Sequence, residues 1–255
     1  MLRPRVIPVM LLRGSGLVKT VRFDAPKYLG DPRNTVRIFN EKEVDELVLL
    51  DILATPDKRE PQFDLVREIV SEAFMPIAYG GGLRTADDCR RMLGVGVEKV
   101  VVNTAACERP DLVGQLAAEL GSSTVVAAMD VRRRLLGKYE VCARAGKTRT
   151  GREPVAWARE LEDRGVGEIM LTAIDRDGTM SGYDLELVRS VTAAVSVPVV
   201  ACGGAGCVAD LGKVIVEGHA AAAAAGSLFV FRGRHRAVLI SFPTAQELGA
   251  AFEGS

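Results

Sequence analysis

Two short stretches of the chain decide its fold, Pro76-Ile77-Ala78-Tyr79-Gly80-Gly81-Gly82 and Pro198-Val199-Val200-Ala201-Cys202-Gly203-Gly204. Each opens with a proline, continues as a short apolar run and closes on glycine, and Pro198 follows Pro76 by 122 positions. The same spacing relates three further pairs, Glu46 with Glu168, Asp88 with Asp210 and Gly96 with Gly218. One spacing shared by separate features indicates an internal repeat, with halves at about residues 1–120 and 121–255.

Short apolar runs alternate with segments of helical period along most of the chain. We predict eight strands, at residues 6–12, 47–52, 75–79, 99–102, 124–129, 168–172, 197–201 and 220–224. Helices are predicted between most of them, and Asp31-Pro32 supplies an N-cap followed by proline at the first helical position. This pattern predicts an α/β protein, a (β/α)8 TIM barrel made of two repeated half-barrels. A doubly wound open sheet rarely needs so many units, and no linker divides residues 1–255, so we expect a single domain.

The composition is that of an ordinary folded protein. Of the 255 residues, 48% are hydrophobic and 26% are charged, which excludes an intrinsically disordered chain. The 33 basic and 33 acidic residues cancel, and aromatic residues make up only 5%. The chain therefore lacks the basic surplus and the stacking surfaces that are typical of nucleic-acid-binding proteins.

Cysteine and histidine are too scattered to predict a metal centre. The five cysteines form no CxxC pair and there are two histidines, so we expect no metal, no disulfide and no cofactor, in a reducing compartment. No apolar run approaches the ~20 residues that cross a bilayer, and the first residues predict a strand rather than a signal peptide. We expect a cytoplasmic protein without membrane or nucleic-acid partners.

Glycine-rich loops follow the predicted strands in both halves, at the end of the barrel where such folds hold their active sites. Glycines before a helix let a phosphate approach backbone N–H groups, although glycines also serve simply to make tight turns. Because the pattern recurs and the next strand of each half ends in small or polar residues, we predict two phosphate sites. Their residues are Gly81, Gly82, Asn103 and Thr104 in the first half and Gly203, Gly204, Ala225, Gly226 and Ser227 in the second.

Acidic residues at the same end of the strands are candidates for proton transfer. Asp51 and Asp130 end predicted strands, and Asp177 lies just beyond another. Helix capping explains several such carboxylates, but Asp130 follows an apolar strand and is expected to project into the cavity. Lys19, in the segment after the first strand, is a candidate for binding an anionic substrate or else a surface lysine.

Charged residues mark the opposite, amino-terminal ends of the strands, which we call the floor of the barrel. They are Arg5, Glu46, Lys99 and Glu168. We expect the two cations and two anions to meet in a ring that offsets the cost of burying them. The ring serves either the stability of the floor or as a polar constriction for a small molecule.

Five further stretches carry a family resemblance: Asp45-Glu46-Leu47-Val48-Leu49-Leu50-Asp51-Ile52, Val102-Asn103-Thr104-Ala105-Ala106, Leu171-Thr172-Ala173-Ile174-Asp175-Arg176-Asp177-Gly178-Thr179, Ser181-Gly182-Tyr183-Asp184 and Gly203-Gly204-Ala205-Gly206. Through these five stretches the chain resembles, almost end to end, the cyclase subunit of imidazole glycerol phosphate synthase. The resemblance implies a heterodimer with a glutaminase docked on the floor, whose ammonia crosses a gate at Arg5, Glu46, Lys99 and Glu168. It also implies that a bisphosphorylated substrate binds at the top, with Asp177 and Gly178 among its contacts. Ammonia converts it to imidazole glycerol phosphate and an aminoimidazole carboxamide ribotide.

The chain departs from this family at one position. The family has a catalytic aspartate at the end of the first strand, opposite the one matched by Asp130, but Pro8-Val9-Met10-Leu11-Leu12-Arg13 places Leu11 there. Leucine transfers no proton, and losing one member of an acid–base pair costs ~10²–10⁴ in rate. The chain thus resembles cyclase-like paralogues that pair with a glutaminase-like subunit and serve amidation of a surface-polysaccharide sugar. Its tail, Arg236-Ala237-Val238-Leu239-Ile240-Ser241-Phe242-Pro243, resembles the same branch.

Two hypotheses follow. In the first, the chain is an ammonia-using cyclase of histidine biosynthesis, with Asp130 as its catalytic group. In the second, it conducts ammonia from the glutaminase to a third protein, a sugar-amidating synthetase. Leu11 favours the second hypothesis and the glycine loops favour the first. A third reading, the related phosphoribosyl isomerase, lacks the four-residue gate and ranks below both.

Overall fold

The computed structural model describes residues 3–134 and 137–253. In chain order its strands are β1 (Arg5–Arg13), β2 (Gly16–Val21), β3 (Asp24–Gly30), β4 (Leu47–Asp51), β5 (Ile77–Gly80), β6 (Lys99–Val102), β7 (Val125–Arg133), β8 (Tyr139–Ala143), β9 (Thr148–Arg149), β10 (Glu168–Ala173), β11 (Val199–Cys202), β12 (Ala222–Ala225), β13 (Phe231–Arg232) and β14 (Ala237–Val238). Its helices are α1 (Pro32–Glu41), α2 (Phe63–Val70), α3 (Ala86–Val95), α4 (Thr104–Glu108), α5 (Asp111–Leu120), α6 (Pro154–Asp163), α7 (Leu185–Thr192), α8 (Val208–Val216), α9 (Ser227–Val230) and α10 (Ala245–Glu253).

Eight parallel strands close into a barrel. Around it run β1, β4, β5, β6, β7, β10, β11 and β12, and β12 pairs with β1 to complete the circle. Helices lie between consecutive barrel strands along the chain. This confirms the predicted (β/α)8 TIM barrel. Asp31 caps α1 as predicted, because its side chain accepts from the N–H groups of Arg33 and Asn34, and Pro32 follows at the first helical position.

Four barrel strands, β5, β7, β11 and β12, begin one or two residues later than the sequence pattern predicts, and proline is the reason for two of them. β5 begins at Ile77 and β11 at Val199, just after Pro76 and Pro198. Proline has no N–H to donate to a strand ladder, so it stands before the paired residues. Its carbonyl still pairs: Leu47 N donates to Pro76 O and Ile169 N to Pro198 O, both at 2.9 Å. The two contacts are equivalent under the 122-residue repeat.

Several elements above the barrel were not predicted. β1 continues to Arg13 and folds back as the hairpin of β2 and β3, so Lys19 lies on a strand rather than in a loop. In the second half β7 continues to Arg133 and pairs with β8, which pairs with β9. These hairpins rise from the carboxyl ends of the first and fifth barrel strands. They therefore form part of the walls of any cavity at that end.

The alternation of side chains along each strand divides the core into two layers. One set of apolar residues faces the helices, and the other set fills the barrel, including Ile7, Val48, Val101, Val126 and Met170. The same alternation extends along β10 from Glu168 at the floor to Thr172 at the top. The barrel interior therefore joins the floor to the carboxyl-end loops.

Candidate functional site

A cavity of about 330 Å³ opens at the carboxyl ends of the barrel strands. Its walls come from the loops that follow the barrel strands and from the β2–β3 and β8–β9 hairpins. The predicted site residues that line it are Lys19, Asp51, Gly81, Gly82, Asn103, Thr104, Asp130, Asp177 and Gly226. Gly178, Gly203, Gly204, Ala225 and Ser227 lie outside this lining. The first predicted phosphate loop thus belongs to the cavity, and the second touches it only at Gly226.

Asp130 projects from β7 into this cavity, as the strand pattern predicts. The amide Nδ2 of Asn103 donates to Asp130 Oδ2 at 2.9 Å. Burial, and after it the negative charge of Asp177, raise the pKa of the Asp130 carboxyl to about 7, against the opposing effect of a hydrogen bond from Thr172. A carboxyl group with a pKa near neutrality can both accept and donate a proton at physiological pH.

Lys19 and Asp177 form a buried ion pair at the wall of the cavity. Lys19 Nζ donates to Asp177 Oδ1 at 2.8 Å, and Thr20 Oγ1 donates to Asp177 Oδ2 at 3.3 Å. Lys19 is only 6% exposed, which excludes its reading as a surface lysine. Gly226 makes room for it, because a Cβ there would lie 2.7 Å from Lys19 Cε. The pair places a cation and an anion beside Asp130.

Asp51 lines the cavity, but its carboxylate is occupied by the protein. Its Oδ1 accepts from the N–H groups of Leu53 and Ala54 at 3.1 and 3.2 Å. Arg59 Nη2 donates to Oδ1 at 2.6 Å and to Oδ2 at 2.7 Å, and Gln62 Nε2 donates to Oδ2 at 3.1 Å. These bonds hold the loop after β4 in place, so Asp51 shapes the wall of the cavity.

The glycines of both loops have a structural role that needs no ligand. Gly81 and Gly203 have φ values of +115° and +91°, where other residues are strained. A Cβ on Gly81 would lie 2.4 Å from the carbonyl oxygen of Asp51, and one on Gly203 would lie 2.7 Å from that of Ala173. The two contacts are again equivalent under the repeat. Tight packing of the loop on the neighbouring strand therefore explains these two glycines by itself.

Polar groups without a protein partner remain beside both loops. Among the described residues, Asn103 Oδ1 and Ser227 Oγ are buried and accept or donate no hydrogen bond. Thr104 Oγ1 accepts from Arg144 N at 2.9 Å, which leaves its own hydroxyl proton to donate. Buried polar groups normally have partners, so these atoms mark places suited to a polar ligand.

Leu11 ends the apolar wall on the first strand. Its side chain is 8% exposed and lines the cavity, and its backbone is in register with Leu50 of β4. Val9, Val101 and Met170 extend this apolar surface. The position at which the sequence resemblance expects a carboxylate thus presents methyl groups to the cavity that holds Asp130.

At the floor the four predicted charged residues meet in a closed ring. Arg5 donates to both Glu46 and Glu168. Lys99 Nζ donates to Glu46 Oε1 at 2.9 Å and to Glu168 Oε2 at 3.0 Å. The glutamate side chains are 5% and 8% exposed, whereas that of Arg5 is 32% exposed. Burial lowers the pKa of the Arg5 guanidinium, but its bonds and charge interactions with Glu168 and Glu46 outweigh this and raise it overall.

Sequence reasoning missed three residues that shape the site. Thr172 lies on the interior face of β10, which the alternation from Glu168 and Met170 indicates. Arg59 and Gln62 bind Asp51 from a loop, where no periodicity identifies them. Within residues 3–134 and 137–253, no group of three or more His, Cys, Asp or Glu side chains could hold a metal ion. No helix in those ranges is long and apolar enough to cross a membrane.

The fold and the cavity define the class of protein: a (β/α)8 barrel with its candidate active site at the carboxyl ends of the strands. The histidine biosynthesis protein family matches residues 5–235. Over 248 residues the chain is 50% identical to "Putative imidazole glycerol phosphate synthase subunit hisF2" of Pseudomonas aeruginosa, covering 97% of this chain and 99% of that protein.

Two further relatives give the same picture. Over 254 residues the chain is 46% identical to "Putative imidazole glycerol phosphate synthase subunit hisF3" of Vibrio vulnificus, covering 99% and 98% of the two chains. Over 229 residues it is 44% identical to "Imidazole glycerol phosphate synthase subunit HisF" of Alkaliphilus metalliredigens, covering 90% and 91%. The chain belongs to the histidine biosynthesis protein family, as a HisF-like member.

Proposed function

We propose that this chain is the barrel subunit of a glutamine amidotransferase complex. A glutaminase docks on the floor as a heterodimer and releases ammonia, which enters between Arg5, Glu46, Lys99 and Glu168. The closed ring of these side chains carries the proposal, because four ion-pairing groups converge at the amino end of the barrel. The same alternation of side chains that places Glu168 at the floor places Thr172 in the cavity. An uncharged molecule as small as ammonia would follow this interior.

The finer proposal is that the chain is a specialised paralogue that supplies ammonia for amidation of a sugar in surface-polysaccharide synthesis. Leu11 supports it, since the cavity has an apolar wall where the cyclases carry a second proton-transferring group. Asp130 then has no acid–base partner on the first strand. Ammonia that is not consumed in the cavity passes on to a sugar-amidating synthetase.

The cavity would bind an anionic ligand with two phosphate groups. Lys19, Gly82, Asn103 and Thr104 would hold one phosphate, with Asp51 and Gly81 shaping the wall and Asp177 holding Lys19. The second group would lie near Ser227, whose buried hydroxyl has no protein partner among the described residues. Gly178, Gly203, Gly204, Ala225 and Gly226 form the backbone around that second position.

The second candidate function is the cyclase reaction of histidine biosynthesis, a lyase step that forms imidazole glycerol phosphate and an aminoimidazole carboxamide ribotide. Asp130 favours it, because a pKa of about 7 suits general acid–base catalysis at neutral pH. In this reading Asp130 is the catalytic residue and works without a partner carboxylate at position 11.

An ammonium-dependent cyclase assay separates the two functions. The purified chain is mixed with excess ammonium and the ribulosyl-formimino intermediate of the cyclase reaction, and imidazole glycerol phosphate is measured. We expect no appreciable product from the natural chain and a gain of ~10²-fold or more in Leu11→Asp, because the carboxylate restores an acid–base pair. Leu11→Asn is the matched control, since it is polar but transfers no proton. Appreciable product from the natural chain would overturn the paralogue proposal in favour of the cyclase.

A further inference from the structure

We propose that Arg84 and Arg109 form an additional anion subsite on the outer edge of the first glycine loop, which extends the cavity to a ligand carrying a diphosphate. Neither residue belongs to the predicted site, and neither lines the cavity itself. The inference rests on the proposed function only in that the first loop binds a phosphate. It adds the chemical class of what is attached to that phosphate.

Backbone carbonyls hold the two guanidinium groups beside the loop. Arg84 Nη2 donates to the carbonyl oxygen of Arg59 at 2.9 Å, and Arg109 Nη2 donates to the carbonyl oxygen of Arg84. The Arg59 carbonyl oxygen also lies 3.3 Å from the point that a Cβ on Gly82 would occupy. Gly82 lines the cavity. Arg84 is therefore fixed next to the cavity edge, and Arg109 is fixed next to Arg84.

These contacts orient the two cations without neutralising them. Within the part of the chain that the structure describes, Arg84 and Arg109 form no ion pair with a carboxylate, and both are exposed. Neighbouring arginines differ: Arg59 pairs with Asp51 at 2.6 Å and Arg144 pairs with Glu108 at 2.6 Å. The two positive charges repel each other, so binding an anion between them lowers the electrostatic free energy of this edge.

The guanidinium geometry indicates which anion fits. Arginine presents its N–H donors in a planar fork that matches the oxygens of a phosphate. Each of these two residues uses an Nη2 on a carbonyl and keeps further N–H groups for a ligand. A phosphate bound at the loop has the cavity on one side and this edge on the other. A second phosphate joined directly to the first would contact both arginines, whereas a monophosphate would not.

The test compares inorganic phosphate with inorganic pyrophosphate in calorimetric titrations at fixed pH and ionic strength. The natural chain is compared with Arg84→Gln/Arg109→Gln. The control is Arg159→Gln/Arg189→Gln, which removes the same charge from arginines on α6 and α7. Arg159 is the closer match, because it is exposed and its Nε donates to a backbone carbonyl, that of Ala194, at 3.4 Å. Arg189 Nε donates to the Glu217 carbonyl at 2.6 Å, but its Nη2 also pairs with the Glu217 carboxylate. A thermal melt confirms that both double variants are folded.

We expect the natural chain and the control to bind pyrophosphate about tenfold more tightly than phosphate. In Arg84→Gln/Arg109→Gln this preference should fall to about twofold or less, with phosphate affinity little changed. An equal preference in both double variants, or none in the natural chain, overturns the inference while phosphate binding remains. If phosphate itself fails to bind the natural chain, the phosphate site of the proposed function fails as well, and the inference falls with it.

Discussion

Asp130 is a carboxyl group in a protein cavity whose burial, together with the charge of Asp177, raises its pKa to about 7. In the unfolded chain an aspartate titrates near pH 4. Between these values the folded state holds a proton that the unfolded state releases, so Asp130 makes the protein less stable as pH rises from about 4 to 7. Above that range the loss is complete.

We predict that Asp130→Asn removes this pH dependence. Asparagine keeps an oxygen to accept from Asn103 and does not ionise. The difference in unfolding free energy between the variant and the natural chain is therefore expected to depend on pH. It should favour the variant by about 1–3 kcal/mol more at pH 8 than at pH 5. Urea unfolding at both pH values measures it. Asp64→Asn, at a side chain 94% exposed, is the control. The same stability difference at both pH values for Asp130→Asn would contradict the prediction.

For individual residues, the sequence predicts where a side chain lies better than it predicts which groups the side chain binds. The apolar run before Asp130 was enough to predict its projection into the cavity. The location of Lys19 was predicted only roughly, because its strand belongs to a hairpin that the pattern did not indicate. Arg59, which occupies the carboxylate of Asp51, follows it by eight residues in an irregular loop, and loop contacts depend on tertiary packing rather than on periodicity.

Among the elements, the turns after β5 and β11 impose a strict local requirement. We predict that Gly203→Ala lowers the unfolding free energy by about 1–3 kcal/mol, because its φ is +91° and the new Cβ would lie 2.7 Å from the Ala173 carbonyl oxygen. Gly114→Ala on α5 is the matched control. Its nearest neighbour would be 3.6 Å away, and alanine favours a helix by ~0.5–1 kcal/mol. Chemical denaturation measures both, and equal effects would contradict the assignment of strain to the turn.

The floor ring draws its four members from the starts of four barrel strands. We predict that Glu168→Gln lowers the unfolding free energy by about 1–3 kcal/mol, since two cations then share one carboxylate and Arg5 is partly exposed. Glu68→Gln, which breaks the exposed pair with Arg33, should change it by less than ~0.5 kcal/mol. Urea unfolding of both variants side by side measures the difference. Indistinguishable effects would mean that the ring contributes no more than a surface pair.

The types of the elements were predicted correctly where the hydrophobic periodicity extended over a long segment. Some of the predicted boundaries were wrong, for physical reasons. Pro76 and Pro198 were counted as apolar strand residues but cannot donate to the ladder, so their strands start at the residue after the proline, two positions later than predicted. The β2–β3 and β8–β9 hairpins were missed because they build the cavity wall from mixed polar and apolar residues. Their role depends on the barrel beneath them.

For the whole molecule, the repeat at a spacing of 122 residues was the strongest prediction from sequence, and it reappears as matched contacts at Pro76 and Pro198 and at Gly81 and Gly203. The expectation of a single domain over residues 1–255 stays a prediction, and its ends lie outside the described residues. Sequence could not predict that the two glycine loops are unequal. Of the two loops, only the first lines the cavity.

The proposed complex is tested most directly at its floor. The chain is mixed with each candidate glutaminase, and size-exclusion chromatography and the rate of glutamine hydrolysis are measured together, with Lys99→Met beside the natural chain. The proposed heterodimer predicts a one-to-one complex in which glutamine is hydrolysed faster than by the glutaminase alone. Lys99→Met should increase the rate less, because its ring has lost a cation. If no glutaminase associates with the barrel or responds to it, the charged floor is a structural feature and the conduit does not exist.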